Sequence, residues 1–284
     1  MALPRSWSIK MAIGADLGAC DKDTRSRSIQ QPPPVEKFVE AERYSIWRFH
    51  QGAHRFLENP PAITETTDWL ALMQHYGSPT RLLDWTASPY VAAFFAHEAR
   101  PENENKNGKC ALWAVNTDWL LRNTRAVLGD KIAIPNSAPM KPDWTREWLH
   151  LANRTLSKIH QASESQIGQD LPVVIGVYPS QLDERMAAQQ GAFLCSLKGG
   201  SSLEETLVGM RCPNTDGTNA LLKITMPRSK RPEFLWELSK MNINRASLFP
   251  GIEGLAKSID IEVEAVADYR RRWADAVHDL VNPE

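Results

Sequence analysis

The sequence predicts an α+β fold, because helix-spaced apolar segments and short buried-strand runs follow one another without strict alternation. Its 284 residues are 42% hydrophobic and 24% charged, as in a globular chain with a large core.

A net charge of −1 argues against nucleic acid as a partner. No apolar run approaches the ~20 residues that cross a bilayer, and the N-terminus lacks an apolar signal core. We therefore expect a cytoplasmic protein with no membrane partner.

The N-terminal third is predicted to be irregular first and helical afterwards. Residues 1–35 show little periodicity and end in three consecutive prolines, which form a stiff break. Residues 36–57 place their apolar side chains on one helical face, and two prolines at 60 and 61 end this helix. His50 and His54 have the spacing of helical zinc ligands, but no third ligand lies near them in the sequence. We expect no metal.

Residues 69–96, WLALMQHYGSPTRLLDWTASPYVAAFFA, form an apolar block that contains several polar residues. It opens as a buried helix, which Gly77 ends in the left-handed conformation and Pro79 cannot continue. Residues 80–86 are predicted to form a buried strand. Ser88 and Pro89 then supply a cap and a first-turn proline for an apolar helix at 90–99.

The remainder of the chain supplies further strands and a helical C-terminal part. Strands are predicted at 110–115, 173–177, 189–194 and 220–226. Helices are predicted from residue 117 and at 144–160, 181–188, 203–207, 232–241, 246–259 and 263–281. The sequence shows no internal repeat, no heptad pattern and no glycine-rich phosphate loop.

Two groups of polar residues stand in otherwise apolar surroundings. The first comprises His75, Tyr76, Arg81, Asp84 and Thr86. A charged residue in a core is costly unless it is paired, so Arg81 and Asp84 form either a structural pair or part of a site.

The second group is Gln189, Gln190 and Gly191, which enter an apolar strand. A buried amide needs partners for its oxygen and its nitrogen, and glycine admits close approach of a backbone or ligand. On composition alone, the amides tie the strand to a neighbouring element.

The sequence resembles the FRG domain family, bacterial proteins named for an aromatic-Arg-Gly motif. The resemblance rests on MQHYGSPTRLLDWTASPYVAAFFA, CALWAVNTDWL, DERMAAQQGAFL and LLKITMPRSKRPEFLWELSKMNINRASLFPGIEGLAKSI. It extends from residue 7 to residue 259. We therefore divide the chain into an irregular segment at 1–35, an FRG domain at 36–260 and a C-terminal helix at 261–284.

One departure from the family pattern concerns the aromatic-Arg-Gly motif itself. The family places it a few residues before the tryptophan that matches Trp7, where this sequence reads MALPRS. Either the start has been placed late or the motif has been lost, and Arg5 is a poor substitute.

The order of the family motifs implies a fold like that of ADP-ribosyltransferases, with a mixed sheet and flanking helices. By this resemblance Asp84 and Gln190 are the catalytic residues, NAD+ or a related nucleotide is the ligand, and the role is in bacterial defence or as a toxin. The ligand-binding residues it implies are His75, Tyr76, Arg81, Thr86, Gln189 and Gly191. The target macromolecule is left open.

Two alternatives to this enzyme are open at this point. One is a non-catalytic binding or regulatory module that has lost the Arg-Gly part of its site. The other is a nuclease-like toxin that uses His75 as an acid or base. His75 can also be a core histidine that holds the turn at Gly77.

Overall fold

A computed structural model describes residues 9–12, 35–98, 108–132, 144–161, 171–180, 183–198, 203–210 and 221–281. These residues form an α+β fold, as the sequence predicts, with one six-stranded sheet and a helical C-terminal part. None of the helices in these ranges is long and apolar enough to span a membrane.

The sheet has the strand order β4-β5-β2-β1-β3-β6. Its strands are β1 (Ile9–Ala12), β2 (Leu82–Thr86), β3 (Lys109–Asn116), β4 (Val174–Val177), β5 (Gly191–Ser196) and β6 (Leu221–Pro227). Every pairing among them is antiparallel, so the prediction of a mixed sheet is wrong for the described strands. The pairing of β2 with β5 sets Asp84 opposite Phe193 and Thr86 opposite Gly191.

Strand β1 lies inside the segment that was predicted to be irregular. It occupies an interior position of the sheet, between β2 and β3. Its four residues, IKMA, are too few to establish an alternating pattern, so only the pairing with distant strands defines it.

Ten helices are described. They are α1 (Val35–Ala53), α2 (Thr66–His75), α3 (Pro89–Glu98), α4 (Thr117–Ile132), α5 (Trp144–Gln161), α6 (Glu184–Ala188), α7 (Leu203–Gly209), α8 (Arg231–Lys240), α9 (Arg245–Leu248) and α10 (Ile252–Val281). Gly77 follows α2 with a φ of 80°, the left-handed conformation that the sequence predicts. Three prolines predict a loop at residues 132–143; Ile132 is instead the last residue of α4, and residues 133–143 lie outside the described residues.

The C-terminal helices differ from the prediction. The two segments expected at 246–259 and 263–281 are replaced by a four-residue α9 and a 30-residue α10. Asn244 caps α9, and Pro250 and Gly251 separate it from α10. No proline or glycine interrupts the chain around residue 261, so α10 continues through the boundary predicted there.

Helices cover both faces of the sheet, and β3 shows how its side chains divide between them. Leu112 and Ala114 pack with Ala92 of α3, whereas Trp113 and Val115 belong to the main core with α2, α4 and α5. This alternation is the period of two that a strand requires. The other side of α3 packs on α8 and α9, where Phe94 meets Leu235 and Leu248.

Candidate functional site

The pairing of β2 with β5 creates a small open cleft beside the end of α2. We call it the Asp84 cleft. Its volume is about 60 Å³, and its lining includes Gln74, His75, Asp84, Arg185, Met186, Gln189 and Gly191. The cleft therefore brings together His75 and Asp84 of the first group and Gln189 and Gly191 of the second.

A larger cavity lies next to this cleft and shares His75 and Met186 with it. We call it the neighbouring cavity. It has a volume of about 400 Å³, within the range of small-molecule sites. Its lining is mostly apolar and includes three carboxylates, those of Glu65, Asp68 and Asp183.

Asp84 is the acid of the cleft. It is exposed to solvent, yet the protein atoms around its carboxyl partly desolvate it, and this burial raises its pKa above the ordinary value. A hydrogen bond from Gln74 and the positive charge of Arg185 act in the opposite direction. The carboxylate thus faces solvent in a partly desolvated position, as reactive groups often do.

His75 occupies the wall between the cleft and the neighbouring cavity. Its Nδ1 lies 2.9 Å from Asp183 Oδ2, and its ring meets Tyr76 edge to face at 4.8 Å between centroids. Asp183 also accepts a hydrogen bond from the backbone N–H of Met186 at 2.8 Å, which caps α6. Tyr76 itself is 63% exposed beside the histidine and is not part of either lining.

The two glutamines have different positions. Gln189 is buried and lines the cleft, and its Nε2 donates to the backbone oxygen of Leu248 at 2.9 Å. Gln190 is exposed, has a φ of 48° and does not line the cleft. The structure therefore brings Gln189, and not Gln190, next to Asp84.

Thr86 and Gly191 shape the cleft from behind. Thr86 is fully buried; its Oγ1 donates to the backbone oxygen of Gln189 at 2.7 Å and accepts from Ser88 N–H at 3.1 Å. A Cβ at Gly191 would lie 3.3 Å from Met186 Cε, so the glycine allows close packing there. Both hydrogen-bonding functions of the Thr86 hydroxyl are thus directed at the protein, and this residue is not available to a ligand.

Arg81 lies outside the cleft and does not pair with Asp84. Its Nε donates to Glu42 Oε1 at 2.7 Å, and its second terminal nitrogen lies 2.6 Å from Glu42 Oε2. His160 Nε2 meets Glu42 Oε2 at 2.7 Å. We call these three residues the Glu42 cluster. Its side chains are 7–11% exposed, so the cluster joins α1, α5 and the start of β2 inside the protein. His160 also lines a separate cavity of about 340 Å³.

The electrostatics of the Glu42 cluster agree with a structural role. Burial by itself would raise the pKa of Glu42, but the hydrogen bond with His160 and the charge of Arg81 outweigh it and lower that pKa. The carboxylate form is therefore the one that the fold stabilises.

The profile of the FRG domain family matches residues 20–105. The chain carries an FRG domain. No curated protein and no solved structure matches the sequence. The FRG domain contains α1 to α3, and with them Glu42, Arg81 and the Asp84 side of the cleft. Its extension to residue 259 stays a prediction, and so does the role of the β5 side.

Sequence reasoning missed several residues that line the cleft or the neighbouring cavity, among them Glu65, Asp68, Gln74, Asp183, Arg185 and Met186. Asp183, Arg185 and Met186 belong to the run DERM, which ends two residues before the glutamines, and Gln74 directly precedes His75. Because these four residues stand close in the sequence to His75 and to the glutamines, this proximity was the signal that could have identified them. Arg185 is placed by the ring of Phe249, 4.6 Å from its guanidinium carbon.

No group of three or more histidine, cysteine or acidic side chains suited to a metal occurs among the described residues. His75 and Asp183 are in contact at the cleft, but no third histidine, cysteine or acidic side chain among the described residues joins them to form a metal site.

Cys110 and Cys195 are buried free thiols, and burial raises the pKa of Cys195 to about 12.

Proposed function

We propose that this FRG-domain protein binds NAD+ or a related nucleotide in the Asp84 cleft and the neighbouring cavity, and transfers or hydrolyses its ADP-ribosyl group. The observation that carries the proposal is the register of β2 and β5. This register aligns Asp84 with Phe193, and Asp84 and Gln189 line the same cleft, next to a cavity within the size range of small-molecule sites. The ADP-ribosyltransferase-like fold and the role in defence or as a toxin are parts of the same proposal, and motif order supports them.

The charges of the site favour the nicotinamide riboside half of NAD+. The pyridinium ring of NAD+ is positively charged, and its ribose hydroxyls donate hydrogen bonds. The negative charges of Glu65, Asp68 and Asp183 around the neighbouring cavity suit the pyridinium ring. As hydrogen-bond acceptors these carboxylates are already engaged by the protein, because Glu65 accepts from Asn153, Asp68 from Ser180 and Asp183 from Met186. Arg185, at the cleft, is the cation that suits the pyrophosphate.

Asp84 is assigned the central chemical role. Breaking the bond between ribose C1′ and the nicotinamide nitrogen leaves that electron pair on neutral nicotinamide and positive charge on the ribose. A carboxylate beside the ribose stabilises this developing charge, and a partly desolvated carboxylate does so more strongly than one in water. A nucleophile, either water or a group on a target, then bonds to C1′ and releases its proton to solvent.

Gln189 is assigned a binding role. An amide oxygen accepts a hydrogen bond from a ribose hydroxyl but carries no charge. Its amide nitrogen donates to Leu248 O, so α9 fixes the side chain in place. His75 and Asp183 form the wall of the site, and Tyr76 offers an exposed ring beside it.

Calorimetry with NAD+ and with ADP-ribose, combined with an assay of nicotinamide release, tests the proposal. We expect the wild type to bind NAD+ and release nicotinamide. Asp84→Asn should lower the release rate roughly 100-fold or more. Glu184→Gln is the matched control, because Glu184 is an exposed acid on α6 outside both linings, and its release rate should equal that of the wild type. Absence of binding by both compounds would overturn the proposal.

A non-catalytic binding module is the second candidate. The observation that favours it is the glutamine on the β5 side, where the fold analogy expects a catalytic glutamate. This candidate predicts that NAD+ or ADP-ribose binds with measurable heat and that nicotinamide is not released. Release by the wild type would exclude it.

A further inference from the structure

His75 and Asp183 form a histidine–carboxylate pair at the wall between the Asp84 cleft and the neighbouring cavity. Nδ1 of His75 lies 2.9 Å from Oδ2 of Asp183. The other carboxyl oxygen of Asp183 accepts the backbone N–H of Met186 at 2.8 Å, which fixes this carboxyl at the start of α6. An ionised carboxylate only accepts hydrogen bonds, so Nδ1 carries the proton of the neutral ring. Nε2 is then the nitrogen with the lone pair.

Nε2 of His75 is accessible at this wall. Within the described part of the chain it has no hydrogen-bond partner, and it is not one of the side-chain nitrogens that are sealed from solvent without a partner. The side chain is 27% exposed. Among the described residues, His75 and Met186 line both the cleft and the neighbouring cavity, and of these two only the imidazole accepts protons.

The carboxylates near His75 are less suited to take up a proton. Those of Glu65 and Asp68 already accept hydrogen bonds from protein groups. Asp84 has to stay ionised to stabilise the positive charge that develops on the ribose. The unengaged nitrogen of His75 is therefore the proton acceptor that the described site offers.

We propose that His75 is the general base of the reaction and that Asp183 positions it, an inference that rests on the proposed function. Nε2 accepts the proton of the nucleophile, either water or a hydroxyl group of a target, as the oxygen of that nucleophile bonds to ribose C1′. The bond from C1′ to the nicotinamide nitrogen breaks, and its electron pair leaves with neutral nicotinamide. Asp183 stabilises the imidazolium that forms, and Nε2 then passes the proton to solvent.

A purely structural histidine is the alternative, in which the pair only holds the end of α2 against the start of α6. The two roles require different properties of the side chain at position 75. A structural contact with Asp183 needs a hydrogen-bond donor, which the amide of a glutamine also supplies. A general base needs a nitrogen that takes up a proton, which an amide does not provide.

Nicotinamide release by His75→Ala and His75→Gln tests the general base. Both variants should release nicotinamide roughly 100-fold more slowly than the wild type. Added imidazole should raise the rate of His75→Ala in proportion to its concentration. His54→Ala is the matched control, because His54 is exposed and outside both linings; it should keep the wild-type rate with and without imidazole. A His75→Gln variant as active as the wild type, or a His75→Ala variant that does not respond to imidazole, overturns the proposal.

Asp183→Asn tests the positioning residue. Asparagine caps a helix about as well as aspartate, so α6 should stay intact. Its amide N–H donates to Nδ1, which moves the ring proton to Nε2 and removes the lone pair that takes up the proton. We expect release to fall roughly 100-fold, and the double variant with His75→Ala to be no slower than His75→Ala alone, because the two residues act as a unit. Losses that multiply in the double variant would show that Asp183 does not act through His75.

Asp84→Asn, assayed beside these variants, separates the failure of this inference from that of the proposed function. A wild type that releases no nicotinamide overturns both. A slow Asp84→Asn together with a His75→Ala that keeps the wild-type rate leaves the proposed function intact and overturns only the role of His75. Each variant is assayed well below its own melting temperature, so that folded protein alone contributes to the rate.

Discussion

Arg81 and Asp84 stand three residues apart at one strand, yet they have opposite environments. Arg81 is buried and bound to Glu42, which His160 also contacts. Asp84 faces solvent at a cleft, where a hydrogen bond from Gln74 and the charge of Arg185 partly offset the rise in its pKa that burial causes. Both are charged residues in an apolar block of the sequence, so the block alone does not distinguish a buried, paired charge from a charge at an open cleft.

The location of the partner makes the difference. Glu42 lies 39 residues before Arg81 and 118 residues before His160, so the Glu42 cluster joins distant parts of the chain. Such a cluster holds distant elements together, and removing one of its partners strongly lowers the free energy of unfolding. The Asp84 carboxyl has a solvent-facing position and a raised pKa, which is the arrangement that its proposed role requires. The predictions below test this contrast, from the largest expected effect to the smallest.

Glu42→Gln should cause the largest loss of stability. It removes the negative charge that Arg81 and His160 share in a buried position, and breaking such a set costs about 3–5 kcal/mol of unfolding free energy. Urea denaturation followed by circular dichroism measures the loss. Glu40→Gln is the control, since Glu40 is exposed on the same helix and should change the unfolding free energy by less than ~0.5 kcal/mol. Equal effects of the two variants would contradict the structural role of the Glu42 cluster.

Thr86→Val should destabilise the protein by about 1–3 kcal/mol. The substitution keeps the shape of the side chain but leaves Gln189 O and Ser88 N–H without their buried partner. Thermal and urea unfolding provide the measurement. Thr225→Val, at an exposed position of β6, should have little effect. If the two threonine variants unfold alike, Thr86 does not fasten β2 to the turn before β5.

Glu42 and Asp84 should give stability opposite dependences on pH. The pKa of Glu42 is lowered in the folded protein, so its contribution is present above its ordinary value of 4.5 and is lost as the pH falls through the folded pKa. The pKa of Asp84 is raised from 3.8, so its protonated form favours folding and stability falls as the pH rises through the folded pKa.

Urea titrations over a pH series separate these two contributions. The stability difference between wild type and Glu42→Gln should shrink in acid. Asp84→Asn should be as stable as wild type in acid and slightly more stable near neutral pH. Parallel pH profiles for the two variants would contradict the opposite environments.

Gln190→Ala should have the smallest effect. The side chain is exposed and does not line the cleft, so unfolding free energy should change by less than ~0.5 kcal/mol and nicotinamide release should match the wild type. A loss of release comparable to that of Asp84→Asn would assign Gln190 a catalytic role that its position does not support.

Local patterns predicted the surroundings of the cleft well. The turn at Gly77, the strand that carries Asp84 and the later amide pair follow from glycine, proline and apolar runs that act over a few residues. The pairing of Arg81 with Glu42 and the position of β1 depend on contacts between distant segments, which a single sequence does not display. The continuity of α10 was missed although residues 260–262, between the two predicted helices, contain neither proline nor glycine.

The rate of nicotinamide release by Asp84→Asn, measured on protein whose melting temperature is recorded in the same preparation, tests the central claim most directly. We predict that release falls roughly 100-fold or more while the melting temperature stays within about 2 °C of the wild type. A variant that releases nicotinamide as the wild type does, or one that melts far below it as Glu42→Gln should, would contradict the assignment of Asp84 to the site.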